Sequence, residues 1–168
     1  MLQPARSISQ ETLVRQDTVP APVLRGGALP AIAVGGLAAG VLDLAQACLL
    51  FGSKVPLAIA AGLIGQRAAR GGPAIYTLGV FLHFFIALSA AAIYYGVSRR
   101  LAFLKENPVV CGLFFGVAVQ LVMQLIVLPL SALHAQGPYQ YRALVLGLLV
   151  HMILVGLPIS LSVRRFGR

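Results

Sequence analysis

Acidic residues are almost missing from this chain: its 168 residues include four Asp and Glu. Charged side chains of both signs make up 10% of the sequence, against about 25% in soluble domains, too few to coat a water-soluble globule. Cysteine occurs twice, at Cys48 and Cys111, with no C-x-x-C spacing. There is also no P-loop, no H-E-x-x-H and no G-x-S-x-G. Nothing pairs an activated nucleophile with a positioned base, so no enzyme is expected. The length leaves no room for a large soluble catalytic domain beside a membrane part.

What the chain has in abundance is hydrocarbon and positive charge. Hydrophobic residues make up 59%, and 13 Lys and Arg bring the net charge to +9. The cations sit in short clusters between apolar runs and form no single stripe, so they read as membrane-flanking loops and nucleic acid is not an expected partner. Residues 1–27 are polar, with Pro4, Pro20 and Pro22 among them, and are expected to form a mobile cytoplasmic tail. No apolar core with a small-residue cleavage site follows, so a cleaved signal peptide is not expected.

Residues 28–168 then read as an all-α transmembrane domain. Crossing about 30 Å of hydrocarbon takes about 20 helical residues. Four stretches qualify, at residues 28–51, 74–97, 109–130 and 143–163. With four spans and both termini inside, nine Lys and Arg fall on the cytoplasmic side and four, Lys54, Arg67, Arg70 and Arg142, outside. If residues 55–69 also spanned, the sides would hold six and seven, and the charges would favour neither orientation. That segment is therefore expected to be a short re-entrant or interfacial helix on the outer side. Ser53 would cap its start, Arg67 and Arg70 would suit its C-terminal end, and Gly71-Gly72-Pro73 would stop it. Its small residues Ala58, Ala61, Gly62, Gly65 and Ala69 favour packing on the bundle.

Small residues recur within the spans at helix-contact spacing: Gly36 and Gly40, Ala87 and Ala91, Gly112 and Gly116. Tyr76, Tyr139 and Tyr141 are expected at the outer interface, Tyr94 and Tyr95 at the inner one. Cys48 and Cys111 should lie about 25 Å apart along the membrane normal, beyond disulfide reach. Pro129 and Pro158 read as kinks or stops, Ser89 as a hydroxyl bonded within its own helix, and His134 as a loop residue.

The few polar residues inside the spans share one level. Counting residues from the outer ends puts Asp43, His83, Gln120, Gln124 and His151 about 9–15 Å below the outer interface. An intramembrane carboxylate costs at least about 2.5–3.5 kcal/mol on insertion scales, so Asp43 must be paired, hydrated or neutralised. The expected partner is His83 or His151, with Gln120 and Gln124 completing the hydrogen bonds. Three readings follow. In the first, the layer fixes helix register in a structural or accessory protein that binds lipids, other membrane proteins or a second copy of itself. In the second, Asp43, His83 and His151 form a proton, ion or small-solute path. In the third, His83 and His151 ligate a haem or a metal ion.

The order His83-Phe-Phe-Ile-Ala-Leu-Ser-Ala-Ala-Ala-Ile-Tyr-Tyr, then Gly112-Leu-Phe-Phe-Gly-Val-Ala-Val-Gln120, Leu128-Pro-Leu-Ser-Ala-Leu, His151 and Arg164-Arg165 resembles small bacterial inner-membrane proteins of the YagU type. The resemblance covers residues about 74–165. It implies a multi-pass protein of the bacterial inner membrane and transfers no catalytic residue.

Overall fold

A computed structural model describes residues 27–134 and 140–167. The tail expected before Gly27, and Tyr139, lie outside the described residues. Within them the chain is helical, with no strand. Four long helices are α1 (Ala28–Phe51), α3 (Pro73–Ser98), α5 (Pro108–Leu130) and α6 (Tyr141–Phe166). Each has 23 to 26 residues, a rise of about 35–39 Å, enough to cross a bilayer. Between them lie α2 (Val55–Ile64), which runs on as a tighter 3-10 segment over Gly65–Arg70, and the single turn α4 (Phe103–Glu106).

Local chemistry sets the boundaries. Pro73 and Pro108 open α3 and α5, where a missing N–H costs nothing. Gly71 and Gly72 both adopt positive φ (65° and 100°), a turn that side chains resist, and this separates α2 from α3. Ser53 does not cap α2. The helix starts later, at Val55 with Pro56 in its first turn, and the N–H groups of Leu57 and Ala58 donate to the Lys54 carbonyl. Ser53 is thus outside the position from which a side chain reaches the first turn.

The helices run up and down. At one end, hereafter the Gly27 end, the Gly27 N–H donates to the Phe166 carbonyl (2.6 Å), and Lys105 Nζ donates to the Gly167 carbonyl (3.4 Å). At the other, the Phe51 end, the Ala132 N–H donates to the Gly62 carbonyl (2.8 Å) and ties α2 to the end of α5. With ten residues, α2 rises about 15 Å and is too short to span. It lies against α3, where Gly79 faces the Pro56 backbone with no room for a Cβ.

Lipid tails are as apolar as leucine, so these helices associate by close packing and not by hiding oil from water. The contacts accordingly fall on small residues. Gly36 meets Leu88 and Gly40 meets Phe84, joining α1 to α3. Gly35 meets Ile159, joining α1 to α6. Gly112 faces Ser160 and Gly156, while Gly116 faces the backbone of His151 and Met152, joining α5 to α6. The large apolar side chains, Leu49, Phe81, Phe114 and Leu125 among them, point outward, where hydrocarbon would meet them.

One further sequence expectation changes here. Tyr94 is not an interfacial residue: it is 2% exposed, its hydroxyl donates to the Leu104 carbonyl (3.2 Å) and its ring meets Phe115 edge-on. α3 ends at Ser98, and the turn α4 folds back so that its Leu104 carbonyl meets the Tyr94 hydroxyl. Of the two roles expected of Pro158, the structure has the kink: α6 continues through it to Phe166. Proline leaves the carbonyl four residues back without its usual partner, and each long helix with an internal proline widens into π-turns just upstream. These are Met123–Val127 before Pro129 and His151–Gly156 before Pro158.

Replacing Gly116 by Val should therefore destabilise the protein by about 1–3 kcal/mol, because the opposing atoms are backbone and cannot rotate away. Thermal unfolding in detergent measures it. Leu149→Ala, on an outward-facing side chain, should cost under about 0.5 kcal/mol in the same assay.

Candidate functional site

Gly40 introduces the site. Without a side chain on this turn of α1, the Phe84 ring of α3 settles against the helix, and its neighbour His83 reaches the Gly40 carbonyl. The His83 Nε2 to Gly40 O distance is 2.9 Å. A carbonyl only accepts, so Nε2 carries the proton and donates it. Asp43, one turn further along α1, places Oδ2 4.0 Å from the same Nε2.

Of the two histidines expected as partners of Asp43, His83 is the one it meets. At 4.0 Å the pair is at the limit of an ion pair and too long for a hydrogen bond. The His83 N–H has a closer acceptor in the backbone, the Gly40 carbonyl.

His151 approaches from α6. Its Nδ1 lies 2.9 Å from the Gly147 carbonyl, one turn earlier, where the helix begins to widen into the π-turns. By the same argument Nδ1 carries the proton. Asp43, His83 and His151 line one partly open chamber of about 90 Å³, whose wall also includes Ile59, Val119 and Met123. A water takes about 30 Å³ in the liquid, so the space suits a few waters between polar walls. Both imidazoles direct their N–H to backbone, leaving their second nitrogens as acceptors when neutral. With the acceptor-only carboxylate, the chamber suits a proton, a cation or a donor group.

Gln120 does not join this site. Gln120 is buried, with its amide against Gly147 between α5 and α6, and neither glutamine lines the chamber. The face of α5 turned to the chamber carries Val119 and Met123 instead. Helical rise puts Gln120 at the right level, but its rotation about the axis aims it at Gly147. Ile59 and Met123 are lining residues that sequence reasoning missed. Level alone gave a signal for Met123, next to Gln124, and none marks Ile59. His134 lies exposed beyond α5, with φ 46°. Cys48 and Cys111 are free thiols, and Ser89 Oγ donates to the Phe85 carbonyl within its helix.

A haem between His83 and His151 does not fit this space. Sites for ligands of such size take about 300–1,000 Å³, and the chamber has about 90 Å³. Among the described residues, no group of three or more His, Cys, Asp and Glu could hold a metal ion.

No family model, curated protein or solved structure matches the chain. Its reading rests on its own residues: the helices define a multi-pass α-helical membrane protein.

The geometry sets a stability test. In a double-mutant cycle, Asp43→Asn and His83→Ala should couple by about 0.5–1.5 kcal/mol, since both face the same chamber. Asp43→Asn and Gln120→Leu should add to within about 0.5 kcal/mol, because they share no partner.

Proposed function

We propose that this chain is a non-catalytic protein of a bacterial inner membrane, with both termini cytoplasmic, that binds a proton or small cation in its Asp43–His83–His151 chamber and carries it, alone or with a small solute. The nine-to-four division of Lys and Arg supports the orientation. The YagU-type resemblance supports the setting. One observation carries the function: a carboxylate and two imidazoles, from three different helices, meet on one water-sized chamber.

The test is flux. Purified protein in liposomes containing a pH-sensitive dye should dissipate an imposed proton or cation gradient, and Asp43→Asn should abolish this while the protein remains folded. Absence of flux under every gradient tried would defeat the proposal.

A second reading, that of a structural or accessory protein binding lipids, partner membrane proteins or a second copy of itself, draws on Gln120. This buried amide sits between α5 and α6, away from the chamber, as an interhelical polar contact would.

A further inference from the structure

A second cavity lies apart from the chamber, at the Gly27 end. It occupies about 630 Å³ between α3 and α5 beside α4, a volume in the range that ligand sites take, about 300–1,000 Å³. Tyr94, Leu104, Cys111 and Phe115 form part of its wall. Phe103 and Phe114, also lining it, are 51% and 71% exposed, so the groove opens sideways to where hydrocarbon lies. Asn107 supplies its one amide side chain, beside the Tyr94 hydroxyl and the Cys111 thiol. An apolar, laterally open trench of this kind accepts an acyl chain.

Charge selects which lipid. The loop and turn that border the groove carry Arg99, Arg100 and Lys105 against a single acid, Glu106. Arg164 and Arg165 lie exposed in the last turn of α6, against which α4 packs, and the Lys105 bond to the Gly167 carbonyl ties the two segments together. Basic pockets between membrane helices recruit anionic headgroups. We infer that this groove is a binding site for an anionic phospholipid, one acyl chain lying along Phe103 and Phe114 and the phosphate at the level of Arg99, Arg100 and Lys105.

The chain contains no tryptophan, which makes the test clean. Phe114→Trp places a single fluorophore in the groove. Leu29→Trp places one at the same end of the bundle on the outward face of α1. Each is reconstituted in vesicles whose brominated acyl chains, which quench tryptophan, belong to either phosphatidylglycerol or phosphatidylcholine. At Phe114→Trp, phosphatidylglycerol should be preferred by about fivefold for each cation that engages its phosphate. High salt should remove most of that preference, as should Arg99→Gln, Arg100→Gln and Lys105→Gln together. Leu29→Trp should show a clearly smaller preference. Equal preference at the two positions would mean diffuse surface attraction and would overturn the site, as would no preference at Phe114→Trp. If the triple variant fails to fold, the comparison of the two tryptophan positions in the otherwise native chain still decides.

Discussion

Backbone-to-backbone contact at glycine is the constraint on which this molecule depends. Inside a bilayer there is no water to drive helices together, so stability comes from how closely their surfaces fit. Gly112, Gly116 and Gly156 bring α5 and α6 to a separation that no side chain would permit, and Gly35, Gly36 and Gly40 do the same around α1. The bulky residues are thereby released to the outside, where in soluble proteins they would form the core.

The polar chamber follows from the same contacts. Gly116 abuts the backbone at His151 and so sets where that residue stands. Gly40 and Gly147 offer carbonyls that fix the two imidazoles, each through the nitrogen that carries its proton. Packing and chemistry therefore share residues. A change made at one of these glycines would alter the orientation of a ring as well as the distance between helices. The π-turns add to this: His151 begins one and Met123 begins the other, so both widened segments border the chamber. Proline, by withdrawing an N–H, lets a helix depart from regular geometry where a site can use the difference.

Between α3 and α5 the bundle is less tightly closed than elsewhere. Tyr94 and Phe115 meet at the Gly27 end, and toward the Phe51 end α2, α3 and α5 line an apolar cavity of about 410 Å³. An apolar cleft of about 370 Å³ remains midway and shares Ile86, Ala90, Val119 and Met123 with the chamber wall. The polar site is thus one layer of side chains from the lipid.

Much of this was legible in one dimension. Hydropathy and the constant rise of a helix are local properties, so the sequence alone determined that four helices are long enough to span, that residues 55–69 are not a span, and that Asp43, His83 and His151 lie at a common level. The rotation of each helix is a different matter, because it is fixed by which neighbour packs against which face. That is why Gln120, correct in level, turns toward Gly147 while Val119 and Met123 face the chamber. It is also why Tyr94 proved buried and Ser53 uninvolved: the first depends on α4 folding across α3, the second on where α2 begins. Position along the membrane was written in the chain, and direction around each helix was decided by contact.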